Sequence, residues 1–199
     1  MNQNTINLDG CNIAADLLGA CLNAMAKGKP ILLVGAPGSG KTMLARRLGA
    51  LRGGPFRAPH HTVSVIGMQG NHQHPYGGEC ALANKGTLFL DELPEFPRAT
   101  LEGIRVAYLE KQISHYDREG ERNYGVGTDF YLIASGNACP CGWRGTSRKC
   151  ECSGDARARY FARVQSFTSA VDFVRIGVAS VTENGRPLMI REPAHDPTY

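Results

Sequence analysis

The chain has 199 residues, of which 42% are hydrophobic and 20% charged, with a formal net charge of +4. This is the composition of an ordinary globular protein, long enough to bury the core of one domain or of a domain with an appendage. The charge is too mild to demand a nucleic-acid or phosphate partner, and no apolar run approaches the roughly 20 residues that span a bilayer.

The start "MNQNTINLDG" has neither a basic stretch nor an apolar one of the kind that directs export, so a cytoplasmic location is expected. The seven cysteines are then expected as reduced thiols, and clustered ones lean toward metal binding. Along the chain, "NIAADLLGACLNAM" from Asn12 to Met25 has helical spacing and ends at Gly28–Lys29–Pro30. "PILLVG" reads as a buried parallel strand, and "KTMLARRLGALR" as the helix after it. "GTLFLDE" and "DFYLIASGN" are again apolar runs with polar tips, separated by a helical "RATLEGIRVAYLEKQ". The alternation predicts an α/β fold with a mostly parallel sheet flanked by helices. "ISHYDREGERNYGVG" reads as a β-hairpin turning at Arg118–Gly120. Beyond Gly154, "ARARYFARVQSF" suggests a helix and "VDFVRIGVASV" a strand, followed by a polar tail. The expected division is a core over residues 1–176 and a tail over 177–199.

The sharpest signal is "GAPGSGKT", comprising Gly35, Ala36, Pro37, Gly38, Ser39, Gly40, Lys41 and Thr42. It fits G-x-x-x-x-G-K-[ST] and stands where that pattern must, after a strand and opening a helix. Glycines let backbone N–H groups face a phosphate, and the helix N-terminus adds partial positive charge. Lys41 is expected to reach the β- and γ-phosphates, and Thr42 to place its hydroxyl on Mg²⁺. At the end of "LFLDE", Asp91 is the candidate Mg²⁺ carboxylate and Glu92 the group that orients an attacking water. Asn137, at the tip of "FYLIASGN", is the candidate to hold that water from the other side.

The runs "GAPGSGKTMLARRL", "PFRAPHHT", "ANKGTLFLDELPEF" and "NACPCG" resemble the magnesium-chelatase-like AAA+ ATPases, and most closely their bacterial ComM (YifB) branch. "FRAPHHT" and "FLDELPEF" carry the likeness to the branch, which extends over residues 5–173. The resemblance implies an AAA+ P-loop core with ATP and Mg²⁺ as ligands, and assembly into homo-oligomeric rings. It makes Gly35 to Thr42 the Walker A loop, Asp91 and Glu92 the Walker B pair, and Asn137 the sensor-1 residue. It also implies DNA as a partner, since this branch looks like branch-migration motors. Set against the family pattern, the sequence is expected to be a truncated form, without the Lon-like N-terminal domain and the helical lid. Where the family reads L-L-D-R-I-D-L, this chain has "FTSAVDF", with Asp172 retained and Ala170 at the place of the candidate trans-acting arginine. An arginine finger is worth about 10³–10⁵ in rate. A second expectation is therefore a truncated, hydrolytically weak nucleotide-binding module or regulator of a full-length paralogue, or a fragment with no activity. Arg175 stands nearby as a substitute, and a metal-chelatase subunit is the least favoured reading.

His60 and His61, adjacent on an expected strand, should point to opposite faces and not chelate together. His72 and His74 lie in the loop "GNHQHPYGG", where the resemblance puts a pore-facing insert. Arg118 and Arg122 are candidate phosphate contacts in the hairpin. Within "ACPCGWRGTSRKCEC", residues 138–152, Cys139, Cys141, Cys150 and Cys152 form two Cys-x-Cys pairs. The pairs are tighter than the usual C-x₂₋₄-C knuckle, yet four thiols among Arg144, Ser147, Arg148 and Lys149 make poor core filler. A structural Zn²⁺ ranks ahead of unligated thiols, and a disulfide last. Because the first pair begins two residues past Asn137, a metal clip there would anchor the strand tip that faces the γ-phosphate.

Overall fold

The computed structural model describes residues 5–8, 11–116, 123–144 and 147–178. The expected hairpin turn with Arg118 and Arg122, and the tail from residue 179 onward, lie outside the described residues.

Chain entry is a short antiparallel ladder, β1 (Thr5–Leu8) with β2 (Cys11–Ala14), before helix α1 (Ala15–Ala26). The helix therefore starts three residues later than the apolar spacing suggests. Residues 12–14 pair with β1 instead, and Ile13, 1% exposed, joins the core from that ladder. Next come β3 (Ile31–Val34), α2 (Lys41–Arg52), β4 (Phe56–Arg57), α3 (Val65–Gln69), α4 (Glu79–Leu82) and β5 (Thr87–Leu90). A 3-10 turn over Leu93–Glu95 leads to α5 (Arg98–Glu110) and the antiparallel ladder of β6 (Gln112–Tyr116) with β7 (Asn123–Gly127). The chain then forms β8 (Tyr131–Gly136), α6 (Gly154–Ala162), α7 (Gln165–Val171) and β9 (Val174–Gly177).

The central sheet runs β4-β5-β8-β3-β9, and every neighbouring pair in it is parallel. Alternation along its strands sorts two cores, one on each face. Ile31, Leu33, Phe89, Tyr131, Ile133 and Ile176 face α1 and α2, whose Leu17, Cys21, Leu44 and Leu48 meet them. Leu32, Leu88, Leu90, Leu132 and Ala134 face the other way, onto Ile104 of α5 and Phe167 of α7. Both faces are covered, which is why these strands read as unbroken apolar runs. The result is a P-loop NTPase core of the AAA+ type, with the β6–β7 ladder as an insert. Phe89 is fully buried beside the Phe56 ring, 6.1 Å between centroids. We expect Phe89→Ala to lower unfolding free energy by about 3–5 kcal/mol, read from the urea midpoint at unchanged slope.

The expected single helix over residues 156–167 is two. Val164, with φ −113° and ψ −3°, interrupts the helical path between α6 and α7. The interruption turns Val164, Phe167 and Val171 together onto the α5 side of the core. Ser153 caps α6, its Oγ accepting from the Ala156 N–H at 3.2 Å.

Candidate nucleotide and metal sites

Strand register assembles the site. Val34 pairs with Gly136, so Gly35 and Asn137 leave the sheet side by side. Leu90 pairs with Ala134, which sets Asp91 beside Ser135 in the same way. Loops outside the carboxyl ends of parallel strands are where ligands bind in open α/β sheets. Three adjacent strands thus deliver the Gly35–Thr42 loop, the acidic pair and Asn137 to one spot.

Gly40 stands as N-cap of α2 with φ +88°, a left-handed conformation that L side chains rarely adopt. The loop folds around Lys41, whose side chain is buried under it. Its Nζ donates to the carbonyl oxygens of Gly35 at 2.9 Å and Ala36 at 2.8 Å, and to Asn137 Oδ1 at 3.4 Å. Burial pulls the Lys41 pKa down, while Asp91 and Glu92 push it up. Thr42 Oγ1 donates to Asp91 Oδ2 at 2.7 Å. A hydroxyl and a carboxylate in that contact are a hard oxygen donor pair of the kind Mg²⁺ selects. The residues present therefore fit Mg²⁺ at Thr42 and Asp91.

Ser135 is a site residue the sequence reading passed over. It is fully buried, donates a short hydrogen bond to Asp91, and accepts from the Glu92 N–H at 3.1 Å. One hydroxyl thereby fixes both acidic residues. The available signal was a lone polar residue inside an apolar strand that carries the sensor tip. Glu92 itself holds φ +56° and ψ +52°, a left-handed conformation costing about 1–2 kcal/mol for a residue with a side chain. Its carbonyl accepts from the Glu95 N–H at 2.8 Å, and its carboxylate projects to the surface.

Contrary to expectation, His60 and His61 are not split across a strand. They follow β4 in a turn, and their rings lie against each other, 4.0 Å between centroids and tilted by 35°. His60 Nδ1 bonds Thr62 Oγ1 at 2.9 Å, and His61 Nδ1 stands 3.9 Å from Glu92 Oε2. His72 and His74 lie in a loop organised by Asn71, whose Oδ1 accepts from the N–H groups of Gln73 and His74. Ala170 is exposed on α7, and Asp172 caps that helix in a left-handed conformation while pairing with Lys29. Arg175 is exposed on edge strand β9, its guanidinium over the Phe161 ring at 5.5 Å.

The four cysteines converge. Their Sγ atoms all lie within 4.8 Å of one another. Cys139 stands 3.4 Å from Cys141 and 3.6 Å from Cys150, and Cys141 stands 3.7 Å from Cys150. Those separations are far beyond a disulfide bond, and close to the roughly 3.8 Å edge of a tetrahedron with Zn–S bonds of about 2.3 Å. The Arg144 N–H donates to Cys139 Sγ at 3.4 Å. The Trp143 N–H does the same for Cys141 and draws its thiol pKa down to about 6. Backbone donors aimed at sulfur favour the thiolate, the form that ligates metal, although at Cys139 burial outweighs the donor and pushes the thiol up. The tight Cys-x-Cys spacing is accommodated by a turn in which the Gly142 N–H bonds the Cys139 carbonyl at 2.9 Å. The donor set therefore fits Zn²⁺.

Among the described residues, no helix is long and apolar enough to cross a membrane. The sequence matches the family described as magnesium chelatase, subunit ChlI, over residues 18–53 and 49–184. YifB of Escherichia coli (strain K12) is 36% identical over 154 residues, covering 63% of this chain and 30% of that protein. Competence protein ComM of Haemophilus influenzae is 31% identical over 178 residues, covering 71% of this chain and 35% of that protein. The chain thus spans about a third of the length of these relatives. Among solved structures, NtrX from Brucella abortus in complex with ATP superposes with a TM-score of 0.57 at 22% identity. That likeness covers 82% of this chain and 36% of NtrX, and it is a likeness of fold.

Proposed function

Because the chain belongs to the magnesium-chelatase-like family, on its ComM/YifB branch, we propose that it binds Mg-ATP in the Gly35–Thr42 loop and hydrolyses it. The observation that carries the reading is the meeting of Lys41, Thr42, Asp91 and Asn137 at the ends of three adjacent strands. Lys41 would exchange its carbonyl partners for β- and γ-phosphate oxygens. Bound through Thr42 and Asp91, Mg²⁺ would neutralise charge on the phosphates. Glu92 would orient and polarise the attacking water, and Asn137 would hold it from the opposite side. Catalysis of this kind is mostly positioning and electrostatics.

The larger assembly is read from relatives. ComM carries a competence protein's name, and a DNA-remodelling ring motor is the reading that suits this branch. Exposed Tyr76 and Tyr116 support nucleic-acid contact, since bases stack on aromatic side chains. The His115 Nε2 contact to the Gln69 carbonyl at 3.0 Å ties β6 to the end of α3, bringing those elements together. Ala170 favours a second reading, a nucleotide-binding module with weak hydrolysis that associates with a full-length paralogue or receives its arginine from one. The four thiolates are read as a structural Zn²⁺ site, which suits the reducing cytoplasm.

Steady-state phosphate release, together with light-scattering mass with and without Mg-ATP and duplex DNA, tests these readings. A motor releases phosphate faster on DNA and gains mass with ATP. Binding without turnover or mass change supports the module instead, and no ATP binding at all removes both.

A further inference from the structure

The cysteine cluster is built into the nucleotide site on two sides. On one side, the turn that positions Cys139 and Cys141 presses against the Walker A loop. Gly142, at φ +79°, sits so close that a Cβ there would lie 2.5 Å from Pro37 Cδ. The same Cβ would stand 3.8 Å from Asn137 Cγ. Asn137 in turn touches Lys41 Nζ. On the other side, Cys152 leads into Ser153, the cap of α6, and the Arg157 side chain bonds the Cys152 carbonyl at 3.1 Å. From α6, buried Tyr160 reaches back to Asn137, whose backbone N–H faces its hydroxyl. The path from Asn137 through the four cysteines to α6 therefore closes on Asn137 itself. Sulfur–sulfur contacts are the ligand-free link in that circuit, and without a metal they hold it only weakly.

We propose that a Zn²⁺ held by Cys139, Cys141, Cys150 and Cys152 is coupled to nucleotide binding, bracing Pro37 and Asn137 so that zinc and ATP each raise the affinity for the other. The proposal rests on the zinc and ATP readings above and goes beyond both. A braced loop gives up less freedom when phosphates arrive, so its affinity is higher. Coupling is reciprocal: ATP must strengthen zinc retention by the same factor that zinc strengthens ATP binding. Couplings of this kind commonly lie between about 5- and 150-fold, and contact through a single turn points to the order of tenfold.

The test uses the full chain loaded with zinc, and the same protein stripped by a chelator and checked by circular dichroism. Affinity for a fluorescent ATP analogue with Mg²⁺ is expected to fall about tenfold on stripping. Transfer of zinc to a chromogenic chelator is expected to slow when Mg-ATP is present. In the zinc-loaded Pro37→Ala protein, which loses the contact with the Gly142 turn, Mg-ATP should no longer slow that transfer. Equal ATP affinity with and without zinc overturns the coupling while leaving the metal site in place. Should stripping unfold the chain, the transfer measurement on folded protein decides alone, and no protection by Mg-ATP overturns the coupling. Protein that takes up no zinc overturns the metal site and leaves the ATP reading standing. Zinc-loaded protein that binds no ATP overturns the ATP reading itself.

Discussion

Glu92→Gln is expected to lower the rate of ATP hydrolysis by about 10²–10⁴, the range general-base removal commonly costs, with affinity for Mg-ATP unchanged. Gln has nearly the shape of Glu, so the backbone N–H still reaches Ser135 Oγ and the 3-10 turn after it still closes. The left-handed φ and ψ are equally strained for either residue. Only the carboxylate's charge and basicity go, and in the proposed mechanism those act on the attacking water and not on the phosphates held by Lys41 and Thr42. A fall in kcat without a rise in KM is the signature of an interaction made only in the transition state. Single-turnover hydrolysis beside equilibrium nucleotide binding checks it. Equal rates for Glu92→Gln and the unaltered chain would remove Glu92 from catalysis. If the Ala170 position leaves basal turnover slow, the comparison belongs in the presence of DNA and a relative able to supply an arginine.

Much of this site was legible because its signals are local. A phosphate loop is a contiguous run whose glycines, lysine and hydroxyl are fixed by backbone geometry. The strands β3, β5 and β8 announce themselves through continuous burial on both faces, and their polar tips fall where the chemistry must. What escaped depends on register or on contacts far apart in sequence. Ser135 gains its role only because β8 pairs with β5 so that Ser135 falls beside Asp91. The His60–His61 stack depends on a turn after β4, which the strand reading of "PFRAPHHT" could not foresee. At the amino end, Asp9–Gly10 between two short runs is a hairpin signal that the helical reading from Asn12 leaves unused. The break at Val164 has no glycine or proline to mark it. It accompanies the packing of Val164, Phe167 and Val171 into the core beside α5, a tertiary demand. The cysteine pairs were legible as a cluster, whereas the close approach of Gly142 between them to Pro37 was not.

Lys41→Ala separates what the site needs from what the fold needs. A lowered pKa states that the Lys41 ammonium is costlier in the folded chain than in the unfolded one, and burial is the main cause. The two loop carbonyls and Asn137 compensate it only in part. Removing the side chain relieves that cost while losing its hydrogen bonds, so stability without nucleotide should change little. Nucleotide binding should fare differently. Hydrogen bonds to charged partners are worth about 1.5–3 kcal/mol, so losing the lysine's grip on the phosphates should weaken ATP by roughly 10- to 150-fold. The contrast can be read in one thermal-shift series. A ligand at 100 times its dissociation constant stabilises by about 2.7 kcal/mol, which for a chain of this size raises Tm by roughly 5–11 °C. The unaltered chain should show that rise with Mg-ATP, and Lys41→Ala at the same concentration should lose most of it from a similar starting Tm. A Tm that falls sharply without nucleotide would mean that the lysine is a structural anchor of the loop. Stability spent on a buried charge is the mark of a residue kept for its ligand, and the expected pattern places Lys41 in that class.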